Sequence, residues 1–238
     1  FIENVLIQPP SLSFDKFKFI NNYKNILNSI SLDNNLILIK KSNKRNKKVK
    51  FKLKPFNYFL FNASVDKRKN VLLLIESFIN SEAQKRGFHL VITGQLKDDE
   101  YSNKIRDLLS KNHGIISTGY INEAQKSAFF INALCLLSPS IIEGFGIPVL
   151  DACCIGLNCF ASDCSSHREI QKIYDFKDYI KLYPPRALTK WSEIFYDEEL
   201  LENKYDDDTL NIRLTRYEKF NKMIKDKFQS KLINLITK

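Results

Sequence analysis

Glycine and proline are scarce, seven of each in 238 residues, which excludes a collagen-like or low-complexity chain. No apolar run approaches the roughly 18 residues needed to cross a bilayer as a helix. The opening Phe1-Ile2-Glu3-Asn4 lacks an initiator Met, a basic start and a long apolar stretch, so it does not read as a signal peptide and suggests a fragment or trimmed chain. Cysteines are few and odd in number, five crowded between Cys135 and Cys164, with neither the spacing of a disulfide framework nor a Cys-x-x-Cys pair. They read as small buried hydrophobes in a reducing compartment rather than zinc ligands, although His167 follows Cys164 closely.

One stretch lacks acid altogether: residues 40–54, opened by Lys40 and closed by Lys54, hold nine Lys or Arg and no carboxylate. The net charge of +10 is therefore mostly local. Setting those nine aside from 37 basic residues leaves 28 against 27 acidic ones, too even for a nucleic-acid-binding stripe. Lys50-Phe51-Lys52-Leu53-Lys54 alternates like an exposed strand, a form that attracts anionic lipid headgroups or simply stays solvated. Its aromatics are too few for base stacking, so nucleic acid is not an expected partner.

What is present is enough apolar side chain, 44%, for the core of one or two domains. Residues 1–55 are irregular, with Pro9-Pro10, Asn-rich stretches and a candidate helix over 14–29; they read as a linker or the remnant of a preceding domain. From residue 56 to the end, short β-branched or aromatic runs alternate with helical patterns, the form of βαβ units. Strands are predicted over 56–61, 88–93, 114–118, 134–138 and 158–161. Helices are predicted over 70–86, 98–112, 122–132, 147–154, 187–196 and 209–236, the last long and basic. The expected fold is α/β: a doubly wound, mainly parallel Rossmann-like sheet with a long C-terminal helix. Its ligand would sit beyond the carboxyl ends of the strands.

Two of the rare glycines fall between a predicted strand and helix, in Glu143-Gly144-Phe145-Gly146-Ile147-Pro148. Unpaired N–H groups at a helix start, approached closely through glycine, make an anion cradle that suits a diphosphate; the plainer reading is a tight strand-to-helix turn. Glu143 and Asp151 flank this segment. Asp151 can accept from a ribose diol or favour the helix dipole, and Glu143 can face sugar hydroxyls or bond loop N–H groups. Lys67-Arg68-Lys69 stands at the mouth of another helix, where cations oppose the macrodipole, which points to an anionic ligand or to a solvated loop. Asp206-Asp207-Asp208 contains an Asp-x-Asp, the form found in metal-dependent transferases, but as the lead-in to a long helix it reads as a cap.

These residues together resemble the retaining GT-B glycosyltransferases of family 4, or group 1. Phe61-Asn62-Ala63-Ser64-Val65-Asp66-Lys67-Arg68-Lys69-Asn70 is similar to that family's Val-Gly-Thr-Leu-Glu-Pro-Arg-Lys-Asn segment, and Thr118-Gly119-Tyr120-Ile121 to its Leu-Gly-Tyr-Val turn. Pro139-Ser140-Ile141-Ile142-Glu143-Gly144-Phe145-Gly146-Ile147-Pro148-Val149-Leu150-Asp151-Ala152 resembles its Pro-Ser-x-x-Glu-Gly-Phe-Gly-Leu-Pro-x-Leu-Glu-Ala block. Residues 162–170 resemble its Ser-x-x-x-Ser-x-Pro-Glu-Val segment, and the ordered matches run over about residues 56–170.

The resemblance implies the C-terminal, donor-binding half of a two-domain enzyme that moves a sugar from a nucleotide-diphosphate sugar to an acceptor hydroxyl with retention, in polysaccharide or glycolipid assembly. It implies that Lys69 and Glu143 are catalytic, with Lys69 and Arg68 on the diphosphate and Glu143 at the donor sugar. Gly144, Phe145 and Gly146 would present backbone N–H groups, Asp151 would take the ribose, and Tyr120 and Ile121 would line the base pocket. No metal and no cofactor is implied beyond the donor substrate. The expected partners are the nucleotide sugar and a glycan or lipid-linked acceptor, with an anionic membrane surface at residues 40–54 and a cytoplasmic, peripheral location.

The chain also departs from the family pattern. Asp151 stands for the customary Glu, Ala63 for Gly, Arg168 for Pro and Ser64 where other members carry Arg. The alternative is a non-catalytic module that binds a nucleotide sugar or an anionic surface. His167, expected in a loop on the ligand side, is a further candidate for donor phosphate, and Glu169 matches the Glu of the family's Pro-Glu pair.

Overall fold

The structure, a computed structural model, describes residues 36–38, 49–51, 53–202 and 207–236. The helix expected over 14–29 and most of the basic stretch over 40–54 lie outside them. Strands β1 (Leu36–Leu38) and β2 (Val49–Phe51) form a small antiparallel pair that approaches β5.

The short apolar runs become β3 (Tyr58–Asn62), β4 (His89–Thr93), β5 (Ile115–Gly119), β6 (Cys135–Ser138), β7 (Cys159–Ser162) and β8 (Ile180–Tyr183). They pair in parallel in the order β5-β4-β3-β6-β7-β8. Runs apolar on both faces are stable only if both faces are covered, and here they are. In β3, Phe59 and Phe61 face a cluster with Leu74, Phe78, Trp191 and Phe195, whereas Tyr58 and Leu60 face one with Phe130, Val149, Leu150 and Phe220.

Helices α1 (Val71–Asn80), α2 (Glu100–Lys111) and α6 (Leu188–Glu193) contribute to the first layer. Helices α3 (Glu123–Asn132), α4 (Ile147–Cys154) and α5 (Ser165–Ile173) contribute to the second. A single turn, α7 (Glu198–Leu201), precedes the long α8 (Asp207–Ile236). Arg213 docks α8 by donating to the Ile131 carbonyl and, at 3.1 Å, to that of Ala133, with its guanidinium 4.6 Å from the Phe56 ring. Burial lowers the Arg213 pKa to about 10.

Several boundaries differ from the sequence reading. A sixth strand, β8, extends the sheet from Ile180-Lys181-Leu182-Tyr183, a run whose apolar alternation is only four residues long. The helix expected over 70–86 ends at Asn80, because the Ser81 hydroxyl bonds the Phe78 carbonyl and Glu82 adopts φ 53; a separate 3-10 turn follows. Residues 165–173 form α5, so His167 lies on a helix rather than in a loop. Asp207 opens α8 and Asp208 is exposed, while Asp206 lies outside the described residues. Four of the cysteines are buried, Cys164 is half-buried, and all five are free thiols.

The strand order reverses at β3, which has β4 on one side and β6 on the other. Chain leaving β3 and chain leaving β6 therefore part to either side, and a crevice opens above Asn62 and Ser138. The residues singled out in the two loops, Lys67 to Lys69 and Glu143 to Gly146, stand at that switch point.

Candidate functional site

The loop after β3 folds on Asp66. Its carboxylate accepts from the Arg68 and Lys69 amides at 2.9 and 3.3 Å and caps a 3-10 turn, Lys67–Lys69. Burial would raise the Asp66 pKa, but hydrogen bonds from Ser64 and Arg68 outweigh it and hold the carboxyl below its usual range. The Arg68 guanidinium pairs with Asp66 at 3.1 Å and is mostly exposed. Ala63, where the family pattern has Gly, is accommodated from below: a Cβ on Gly94 would come within 2.1 Å of the Ala63 carbonyl.

Asn70 then turns the chain into α1 at φ 55, and its side-chain amide donates to the Pro139 carbonyl at 3.3 Å and the Pro185 carbonyl at 2.7 Å. At the start of α1 the Leu72 amide donates to the Tyr101 hydroxyl and the Leu73 amide to the Asn70 carbonyl, each at 3.2 Å.

The loop after β6 is built on hydroxyls. Ser140 donates to Glu143 Oε1 at 2.7 Å, and Ser162 donates to the Ser140 carbonyl. Ser166, from the first turn of α5, donates to the Glu143 and Gly144 carbonyls at 2.9 and 3.1 Å. Gly146 then starts α4 at φ 92, a left-handed conformation that a side chain resists, and a Cβ there would press on His167 Cδ2 at 3.1 Å. Among the described residues nothing lies within 4 Å of where a Gly144 Cβ would stand. Among the described residues no side chain caps α4, but Pro148 has no N–H and the Val149 and Leu150 amides bond the Gly146 carbonyl at 2.9 and 3.1 Å, so what α4 offers an anion is its dipole and the Ile147 amide.

The two loops are joined. The Ile141 amide donates to the Arg68 carbonyl at 2.7 Å, and Lys69 Nζ meets Glu143 Oε1 at 2.6 Å with both side chains mostly buried. An ammonium, a carboxylate and an open Gly144, in the turn that leads into α4, thus share one corner. Such a corner can take a diphosphate by charge and backbone N–H groups, and a hydroxylated group through the carboxylate.

The remaining candidates stand further along the rim. Tyr120 is 85% exposed just beyond β5, with Ile121 half-buried beside it and Phe145 half-buried in the glycine turn. Asp151 is 1% exposed, and its partner is Lys126 of α3, whose Nζ lies 2.6 Å from Oδ2. Burial raises the Asp151 pKa against the pull of Lys126. Its Oδ1 has no hydrogen-bond partner among the described residues.

His167 is fully buried beneath Gly146, with Nδ1 at 2.8 Å from the Ser162 carbonyl and Nε2 at 3.5 Å from Ser138 Oγ. It supports the turn and is out of reach of a phosphate as it stands. Arg168 pairs with Asp163 at 2.5 Å on the surface, and Glu169 is exposed.

Sequence reasoning missed Lys126, Ser166 and Tyr101. Lys126 had a signal: it sits one turn before Phe129 and Phe130, which should be buried, on a helix whose cap at Asn122 was legible. Ser166 falls on the second Ser of the Ser-x-x-x-Ser-x-Pro-Glu-Val segment, a mark that came without a role, whereas nothing in the local sequence marks Tyr101.

Solved structures share this architecture. The C-terminal domain of a glycosyl transferase group 1 family protein (LpcC) from Francisella tularensis superposes with TM-score 0.53 at 16% identity, over 70% of this chain and 85% of that one. WaaG, described as a glycosyltransferase involved in lipopolysaccharide biosynthesis, gives TM-score 0.51 at 20% identity, over 68% of this chain and 42% of that one. The serotype-specific mannosyltransferase WbdA of Escherichia coli is 27% identical over 158 residues, 60% of this chain and 19% of WbdA. The chain thus spans about a fifth of the length of that curated relative. The sequence pattern described as Glycosyl transferases group 1 matches residues 42–184, more than half of the chain and both loops of the crevice, and the chain therefore belongs to the group 1 glycosyltransferases.

Proposed function

We propose that this chain is the donor-binding part of a retaining, hexosyltransferase-type glycosyltransferase. It holds a nucleotide-diphosphate sugar whose sugar passes to a hydroxyl of a glycan or lipid-linked acceptor in polysaccharide or glycolipid assembly. The bond from the anomeric carbon to the β-phosphate oxygen breaks, the acceptor oxygen bonds to the same face of that carbon, and the acceptor proton passes to the departing phosphate oxygen. Charge gathers on the diphosphate, so fixed cations and N–H dipoles do most of the work. Lys69 and the start of α4 receive that charge, Arg68 approaches from the rim, and Glu143 holds the sugar. The reaction in this reading needs no metal and no cofactor.

The observation that carries the reading is the meeting of the two loops at the switch point: Lys69 Nζ lies 2.6 Å from Glu143 Oε1, in the turn whose Gly144 has open space around it among the described residues and which leads into α4. The name of WbdA supports a sugar-transfer role, and the match to 85% of the LpcC C-terminal domain supports a donor-side half.

Calorimetry with UDP, GDP and ADP, and with their common sugar conjugates, tests it. Binding of at least one is expected, weakened about tenfold or more in Lys69→Ala, the scale of a charge-assisted hydrogen bond. Unchanged binding removes Lys69 from the diphosphate. The isolated chain is expected to bind without transferring sugar.

A second reading, a binding module without turnover, is favoured by the covered state of Asp151, 1% exposed beneath Lys126. Turnover by the full-length enzyme that contains this chain, lost in Glu143→Gln, dismisses it. Among the described residues no helix is long and apolar enough to cross a membrane. A cytoplasmic location with peripheral attachment through residues 40–54 belongs to the same proposal. Sedimentation with anionic vesicles, reversed by salt, tests the attachment.

A further inference from the structure

A ribose seat made of a lone carboxylate needs that carboxylate within reach of the ligand, and Asp151 is not within reach. The residue is 1% exposed, and Lys126 Nζ sits 2.6 Å from Oδ2. Its other oxygen, Oδ1, is buried and unpartnered among the described residues, so the charge of Asp151 rests on Lys126 alone.

Lys126 is differently placed. Its side chain keeps 18% exposure, and its ammonium lies over the Phe130 ring, 5.8 Å from the centre. An ammonium has three donors; one is spent on Oδ2 and two remain. The residue rises from the first turns of α3, directly after Tyr120 and Ile121, and reaches across to α4 about one turn beyond the Gly144–Gly146 segment. It thus belongs to the element that follows Tyr120 and is tied to the one that follows the glycine turn, and the ribose of a nucleotide whose base meets Tyr120 and whose diphosphate meets Lys69 has to pass between those two elements.

We propose that Lys126 is a nucleotide-binding residue of this site: its ammonium, anchored by Asp151, donates to the ribose hydroxyl oxygens, and Asp151 acts as a positioning residue through it. This rests on the donor-site reading above. The shorter Asp in place of the customary Glu fits the assignment, because a shorter carboxylate leaves room for a lysine over it. Anchoring the ammonium before binding also removes part of the entropy that a free lysine would lose.

The test is calorimetry of UDP, GDP and ADP against their 2′,3′-dideoxy counterparts, on the wild type, Lys126→Met and Asp151→Asn. The wild type is expected to prefer the ribose form by about tenfold or more, the usual effect of losing a hydrogen bond to a charged group. Lys126→Met is expected to bring that preference to within about twofold of unity while the dideoxy affinity changes little. Asp151→Asn is expected to reduce the preference only in part.

A preference kept in Lys126→Met overturns the assignment and returns the ribose to Asp151. Equal losses for both ligand forms also overturn it, since they point to general disturbance or to a phosphate contact. Lys126→Met strands a buried carboxylate, so Lys126→Met with Asp151→Asn serves as the second variant, with the same loss of preference expected. Failure of the wild type to bind any of the three diphosphates overturns the donor site itself, a result distinct from retained binding that ignores Lys126.

Discussion

Lys69 meets Glu143 and Lys126 meets Asp151, each at 2.6 Å, and the two carboxylates bracket the same glycine turn. In surroundings they differ. Glu143 also accepts from Ser140, and the carbonyls of its loop are tied down by Ser166. Asp151 has Lys126 and nothing on Oδ1 among the described residues. Equal distances therefore carry unequal consequences: one pair is a member of a network, and the other is a buried charge with a single support.

Removing the lysines separates the two cases. Lys126→Met leaves a 1% exposed carboxylate without the one hydrogen-bond partner it has among the described residues, and a loss of about 3–5 kcal/mol in urea unfolding is expected. Lys69→Met leaves Glu143 its Ser140 bond and a loop that can open to water, so a smaller loss of about 1–3 kcal/mol is expected. The reverse order would mean that the Ser140 and Ser166 bonds do not cushion the loss of Lys69.

The difference also explains what could be read from sequence. The Glu143 corner is assembled by two loops at a switch point, and each loop carries its own signature: Gly144 and Gly146 before Pro148, and the basic turn at Lys67 to Lys69 after Asp66. Strand order then brings them together as the fold class requires. The Lys126–Asp151 pair depends instead on how α3 packs against α4, which no local pattern reports. Strand β8 and helix α5 were missed for related reasons. A four-residue strand gives little periodicity, and the first turn of α5, with Ser166 and His167 turned inward, is polar at positions where a core helix is expected to be apolar.

Between the two pairs lies Gly146 at φ 92, with His167 and Ile170 each 3.1 Å from where a Cβ would stand. Gly146→Ala is expected to cost about 1–3 kcal/mol in the same unfolding assay, from left-handed strain and the displaced imidazole. A loss under about 0.5 kcal/mol would show that the turn relaxes freely and does not hold Glu143 and Asp151 in register.

Acidity sharpens the contrast without removing a lysine. Burial raises the Asp151 pKa from its ordinary 3.8 despite Lys126. Between 3.8 and the raised value the folded chain holds a proton that the unfolded chain has released. The contribution of this group to stability is thus complete below 3.8 and is lost as pH rises through the folded value. Asp151→Asn cannot titrate, so its stability relative to wild type is expected to improve as pH rises from 3.8 through the raised folded value. A relative decline over that range would mean that Lys126 stabilises the ionised carboxylate by more than burial penalises it.

The smallest expected change in stability belongs to Gly144, the one point of the corner with open space where a side chain would project. Gly144→Ala meets nothing within 4 Å among the described residues and is expected to leave unfolding within about 0.5 kcal/mol of wild type. If the space is where the donor comes closest to the backbone, the same methyl group weakens diphosphate binding several-fold, as calorimetry would register. Stability and binding therefore part company here, whereas for Lys69→Met both fall together. Undiminished binding in Gly144→Ala would move the ligand away from the turn and leave the Lys69–Glu143 pair as a structural clasp between two loops.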